Sequence, residues 1–365
     1  MSLHRLRTII GIELRQRARS VAWYVLLGIF AVILIGLLVL SFASFALWTG
    51  GNEWFFSIVI MLVLLLVLLV SPTLSGSAVN GDRDAATLAP VQVTLATTTE
   101  IVVGKFLAAW ISGLAFLVVA LPFLLVATFA GALNPLVIVS SLVILVIEVG
   151  VVAAIGVGLS AIVARPLFSV ASTYLLIAAL TIGTLLAFGL GATALRTTQE
   201  TVTRDYNLGS LPDGCDPYGP IGTEGCPPPD ELGCIESTSL GDVPRFDRVW
   251  WVLAANPFVI LADATPPTYD ERYGTPTDLF SQIAYGVRLA QIPPEPVRIN
   301  DFCGQYLQSQ EPPTYETPEQ QVAGTTPSWF VGLLAQAVLA VGLMVWGIAR
   351  TRTPAKRLPP GTRIA

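Results

Sequence analysis

Apolar runs of helical length, all but one free of charge, recur along the chain. They predict six membrane spans, at residues 21–48, 54–74, 106–130, 135–164, 168–190 and 329–348. Each can cross a hydrocarbon core, which needs about 20 apolar residues. Gly50, Gly51, Asn52 and Glu53 turn the chain between the first two spans, and Arg165-Pro166 makes a tight turn between the fourth and fifth. Ahead of the first span, residues 1–20 have the pattern of an amphipathic helix, with Leu3, Leu6, Ile9, Ile10 and Leu14 on one face and Arg5, Arg7, Arg15, Arg17 and Arg19 elsewhere. We take it as an interfacial helix, because a signal peptide has an apolar core of about 7–15 residues and the run after residue 20 is far longer. One further apolar run, 249–262, is short and broken by Asn256-Pro257, which makes it a re-entrant or interfacial element. The expected fold is therefore an all-α integral membrane protein. Its parts are an interfacial helix (1–20), five spans (21–190), an insertion (191–327), a sixth span (328–349) and a tail (350–365).

The longest stretch that is neither span nor insertion is 82–105, DRDAATLAPVQVTLATTTEIVVGK. Asp82, Arg83 and Asp84 open it, and Leu88, Val91 and Leu95 at i, i+3, i+7 give it one apolar face. Thr97-x-x-Glu100 is a capping box for the next helix. A short helix across the membrane surface follows from this pattern. The segment resembles the cytoplasmic segment of ABC type 2 permeases, in which acid-base-acid, Thr-Leu, a hydrophobic stretch and Glu-Ile-x-x-Gly-Lys follow one another. The matching positions are Asp82, Arg83, Asp84, Thr87, Leu88, Glu100, Ile101, Gly104 and Lys105. Ala86 stands where the family usually has glycine, and Pro90 moves the helix start to near Ala89. Ile12-Glu13-Leu14-Arg15 adds to the resemblance, since many of these permeases begin with a basic helix of this kind.

The resemblance implies a permease subunit of an exporter-like transporter, paired with a second permease copy or a homologous one. Two copies of a separate ABC ATPase subunit would bind ATP and Mg, leaving this chain without a cofactor. It also implies that Glu13, Arg83, Asp84, Thr87, Leu88, Val91, Leu95 and Glu100 form the contact that carries motion from the ATPase to the spans.

Composition agrees with a membrane protein: 53% of residues are hydrophobic and 12% charged, against roughly 25% charged in a soluble protein. The net charge of -5 hides a strong partition. With six spans and both ends inside the cell, the cytoplasmic pieces hold thirteen of the twenty Lys and Arg residues but only four acids, Glu13, Asp82, Asp84 and Glu100. That asymmetry orients the chain in the cell membrane by the positive-inside rule, with Arg350, Arg352, Lys356, Arg357 and Arg363 in a basic cytoplasmic tail. The insertion then faces outward, with seven basic and nineteen acidic residues and all four cysteines, Cys215, Cys226, Cys234 and Cys303. Two disulfides are expected there, in any of three connectivities. Zinc is the rival, but no CxxC pair is present and the single histidine, His4, falls on the other side. Within the insertion, Thr277-Asp278 caps a helix bearing Leu279, Ile283, Val287 and Ala290, and residues 205–245 are expected to be loop.

The chain carries no phosphate-binding loop, no His-Glu-x-x-His motif and one histidine, so no intrinsic enzyme, metal site or nucleic-acid partner is expected; membrane lipid surrounds it. Glu148 stands out in the middle of span four. An ionised side chain there costs on the order of 3 kcal/mol, so it is neutral, paired or facing a polar cavity. It is a candidate for the substrate path. Gly183, Ala187 and Gly191 in span five, and Ala154 and Gly158 in span four, form small-residue ladders for close helix packing, within the chain or between copies. Two other functions remain open: an ion-coupled secondary transporter using Glu148, and a receptor whose disulfide-containing outer segment binds a partner.

Overall fold

The computed structural model describes residues 2–45, 53–85, 97–131, 134–207, 209, 233–270, 274–303 and 316–352. Six helical stretches among them are long and apolar enough to cross a membrane: Val21–Leu40, Trp54–Asp84, Thr98–Thr128, Pro135–Ile162, Pro166–Ala194 and Trp329–Thr351. The chain is thus mostly helical and suited to a multi-pass membrane protein. In order, the helices preceding the insertion are α1 (Leu3–Ala18), α2 (Val21–Phe45), α3 (Glu53–Ser75), α4 (Asn80–Asp84), α5 (Thr98–Gly131), α6 (Pro135–Ile162), α7 (Pro166–Ala178) and α8 (Thr184–Ala194), with a π-helical turn, Ala179–Gly183, between the last two.

Local sequence fixes the starts of these elements. Proline fits the first turn of a helix because its missing N–H has no intrahelical partner there. Accordingly α6 starts at Pro135, after Asn134 whose side chain accepts from Leu136 N at 3.0 Å, and α7 starts at Pro166, after an extended Arg165. At the head of α5 the expected capping box forms in both directions. Thr97 Oγ1 accepts from Glu100 N at 3.2 Å, and Glu100 Oε2 accepts from Thr97 N at 2.9 Å. The helix then runs unbroken into the third span, so it begins eight residues before the run of 106–130 would place it.

Helix α6 is the centre of the packing, with α3, α5, α7 and the last helix, α13 (Trp329–Thr351), against it. Its small residues let those neighbours approach. A Cβ on Gly156 would overlap the Ser75 side chain of α3, and one on Gly158 would lie 2.9 Å from the Leu343 backbone of α13. Gly347 of α13 returns the fit, lying against Ala161 and Gly158. The Ala154–Gly158 ladder therefore serves packing within the chain. The contacts advance in the same direction on both helices, from Ala154 and Ile155 with Ala340, through Gly158 with Leu343, to Ala161 with Gly347, so α6 and α13 run parallel. In the other ladder only Gly191 is used this way, against Val249, while Ala187 is exposed.

The insertion departs from the all-α expectation. Strands β1 (Arg196–Tyr206), β2 (Cys234–Pro244) and β3 (Val297–Asp301) form a sheet in the order β2-β1-β3, with β1 antiparallel to β2 and parallel to β3. Part of the stretch expected to be loop, 205–245, is in fact β2, paired from Tyr206↔Cys234 to Arg196↔Pro244. Threonine and valine supply the β-preference in β1, and backbone pairing rather than an apolar face holds the strands. Cys234 and Cys303 are joined by a disulfide with Cα atoms 6.1 Å apart, which ties the two outer strands together beside β1. Cys215 and Cys226 lie outside the described residues.

The short apolar run becomes two helices, α9 (Trp250–Ala254) and α10 (Pro257–Asp263), broken at Asn256. Asn256 caps α10 by accepting from Phe258 N at 2.9 Å. Its Nδ2 donates to Thr181 O at 2.7 Å and Thr184 Oγ1 at 3.0 Å, in and beside the π turn. Gly332 of α13 passes so close to Ala254 O that no side chain fits between them. Helix α11 (Leu279–Leu289) is capped by Asp278 as expected, with Oδ1 accepting from Ser281 N at 2.7 Å. A short α12 (Pro318–Val322) precedes α13.

Candidate functional site

Two of the candidate coupling residues, Glu13 and Glu100, lie where α1 crosses the start of α5. Gly104 makes the crossing possible: a Cβ there would come within 2.7 Å of Ile9 Cγ2, and Leu6 is next to it. Apolar positions of the amphipathic pattern thus rest on α5, and no residue of α1 is fully buried.

Next to that crossing lies Lys105, whose side chain is 3% exposed. It is ion-paired to Glu13 of α1 in a short contact and to Asp82 Oδ2 of α4 at 2.6 Å. One buried ammonium therefore joins three elements that are far apart in sequence. Glu100 makes a second tie. Its Oε1 accepts from Ser2 N at 2.6 Å and Arg5 lies 3.7 Å from Oε2, so the carboxylate that caps α5 also anchors the start of α1. A third comes from Arg17, whose Nη2 donates to Leu74 O at 2.8 Å. Burial pulls the Arg17 guanidinium down from its ordinary value, and nearby Glu13 opposes this.

Helix α4 is held by a buried amide. Asn80 Nδ2 donates to Val163 O at 3.1 Å, and its Oδ1 accepts from Ser160 Oγ at 3.1 Å. Ser160 Oγ in turn accepts from Val79 N at 2.9 Å. These bonds pin α4 to the end of α6 and so present Asp82 to Lys105. Arg83 is half-buried and Asp84 exposed on the same short helix. Thr87, Leu88, Val91 and Leu95 lie outside the described residues.

Glu148 sits in α6, 1% exposed, and neither of its carboxyl oxygens has a hydrogen-bond donor. Gln336 in α13, also 1% exposed, donates through Nε2 to Ala255 O at 2.9 Å while its Oε1 is likewise without a donor. Toward the insertion, Asp263 is the hub. It accepts from Arg288 Nε at 2.6 Å, Ser328 Oγ at 2.9 Å and Trp329 N at 3.1 Å, and from Ser328 N in a short contact, locking α10, α11 and the start of α13 together. Among the described residues no three His, Cys, Asp or Glu side chains converge as a metal site.

Asn80, Ser160, Asp263 and Gln336 were not among the candidate residues read from sequence, and Lys105 entered only as a position matching the family pattern. The available signal was their chemistry, polar side chains at positions flanked by apolar ones, but only the fold brings their partners within reach. Comparison of the chain with protein-family models, curated proteins and solved structures finds no match.

Proposed function

We propose that this chain is the membrane-spanning permease subunit of an ATP-driven ABC transporter, working as an exporter. In this reading two permease chains act with two copies of a separate ATPase subunit, which supplies the sites for ATP and Mg. Both termini are cytoplasmic, in the cell membrane, and the insertion is on the outer side. The observation that carries it is the junction of α1, α4 and α5 on Lys105. Force from a soluble motor moves a membrane helix only through a rigid contact outside the bilayer. Here the element leading into the candidate coupling residues, α4, is fixed to α5, so displacement of one is displacement of both. The resemblance of 82–105 to ABC type 2 permeases supplies the identity of the motor.

The charge asymmetry supports the orientation. Parallel packing of α6 and α13 supports the crossing count, because two parallel spans need an odd number of crossings between them. The π-broken helix of α7 and α8 provides one, and α9 and α10 turn back.

The test is copurification of the full chain with its candidate ATPase, following ATP hydrolysis, for wild type, Leu88→Asp/Val91→Asp and Lys105→Met. Loss of association in the first variant, and retained association with uncoupled hydrolysis in the second, are the expected results. An ATPase that never associates with the wild type overturns the reading. The donor-free carboxyl of Glu148 favours one second reading, ion-coupled secondary transport, for which flux driven by a pH gradient without any ATPase is the decisive observation.

A further inference from the structure

We propose that Glu148 and Gln336 together form the acceptor site for a primary ammonium group carried on an apolar body, which makes an alkylamine-like amphiphile the substrate class. The proposal rests on the reading of the chain as a transporter.

Two buried residues supply three acceptor atoms without donors: both carboxyl oxygens of Glu148 and Oε1 of Gln336. Packing brings them to one level. With Gly158 against Leu343 and Gly347 against Ala161, residues of α13 lie level with α6 residues numbered about 186 lower. Gln336 is therefore level with about residue 150, and the two-residue offset from Glu148 amounts to about 3 Å along the axis at 1.5 Å per residue. The remaining orphan atoms, Arg17 Nη1 and Ser169 Oγ, are elsewhere: Arg17 bonds Leu74, and Ser169 adjoins Val170, which packs on Gly76.

Among the described residues no fixed charge answers these acceptors. Of the elements packed on α6, α3 has only Glu53 at its first residue, and α5 has only Glu100 and Lys105, both engaged in its first turns. The α7 helix has no charged residue, and its Tyr174 donates to Leu69 O. In α10 the one charge is Asp263, paired with Arg288, and in α13 it is Arg350, in the last turn. No described residue supplies the missing donor, which we assign to a bound ligand. A proton turns one Glu148 oxygen into a donor for one further acceptor and leaves the third without a partner. A primary ammonium supplies three N–H donors and the compensating charge. Around Glu148 the buried residues of α6 are Ile144, Leu145, Val149, Gly150 and Val152, apolar surroundings that match a hydrocarbon body better than a hydrated ion.

The test measures saturable binding of tritiated dodecylamine to the full chain in phosphatidylcholine nanodiscs. Unlabelled dodecylamine should compete, whereas dodecyltrimethylammonium, with the same charge and no N–H donor, and dodecanol should compete about tenfold less well or worse. Glu148→Gln, nearly isosteric, should weaken binding by about tenfold or more, and Gln336→Met by several-fold. Equal competition by dodecyltrimethylammonium would overturn the proposal, since the site would then read charge alone. So would unsaturable uptake identical in wild type and Glu148→Gln, which is partition into lipid. The competition series is measured on wild type, so it decides even if a variant fails to fold. An ATPase that copurifies with a chain lacking amine selectivity sinks the substrate class and spares the transporter. Selective amine binding to a chain that recruits no ATPase does the reverse.

Discussion

Replacing Lys105 by methionine keeps the length and apolar stem of the side chain and removes its charge. The ammonium is 3% exposed, Glu13 is 15% exposed and Asp82 is 35% exposed. Breaking a fully buried ion pair by removing one partner costs about 3–5 kcal/mol, because the other charge is left uncompensated. Here both carboxylates keep some water, so the cost falls to about 2–3 kcal/mol. That corresponds to about 30- to 140-fold in the unfolding equilibrium. Equilibrium unfolding of the chain in mixed micelles, titrated with dodecyl sulfate, reads this difference. The sharper test is the triple variant Lys105→Met/Glu13→Gln/Asp82→Asn. If the cost is that of two stranded carboxylates, neutralising them restores part of the stability, and the triple variant is more stable than Lys105→Met alone. A triple variant at or below the single variant, or a single variant within about 0.5 kcal/mol of wild type, would refute the assignment of Lys105 as the joint.

Gly332→Ala should fold poorly, losing more than about 3 kcal/mol, because the added methyl meets the Ala254 carbonyl; far lower yield of monodisperse protein than with Gly342→Ala, where the space is open, checks this. Cys234→Ser/Cys303→Ser should destabilise the sheet by up to about 4 kcal/mol on the chain-entropy estimate for a separation of 69 residues, seen as faster proteolysis between β1 and β3 with the spanning helices intact. The hydrogen bond from Arg245 holds the Asp247 carboxyl below its ordinary value. Its contribution is therefore complete above the ordinary aspartate value of about 3.9 and is lost as pH falls through the lower folded-state value. Hydrogen exchange at Arg248 and Val249 should accelerate on that acid limb in wild type and show no such limb in Asp247→Asn.

The six apolar runs could be read directly because a bilayer-crossing helix is specified by composition over about 20 residues, with little dependence on distant partners. Caps at Thr97 and Asp278 were similarly readable, since each cap and its target N–H are three residues apart. Lys105 shows where that reading stops. Its tie to Glu13 spans 92 residues, and no periodicity records which acid a lysine meets once α1 folds back. The sheet was missed for a different reason: RTTQETVTRDY has hardly any apolar alternation, so the period-two signal of a half-buried strand is absent. Only its threonines hinted at extended structure. Glu148 was recognisable as a buried acid from its neighbours, whereas its lack of any donor depends on five surrounding helices.

The parallel pairing of α6 with α13 also sets an order of events during synthesis. Helix α6 ends at Ile162 and α13 does not begin until Trp329. At about 5–20 residues per second, the ribosome needs roughly 8–33 seconds to make the intervening chain. Throughout that interval the glycine face around Gly158 has no partner, and the sheet and its cystine are made before α13 emerges. The middle of the protein is thus its last part to close, and a ribosome that stalls anywhere in the insertion leaves a five-helix intermediate whose centre faces lipid. Such a species leaves the face of Gly158 and Ala161 to the bilayer until Leu343 and Gly347 arrive to cover it.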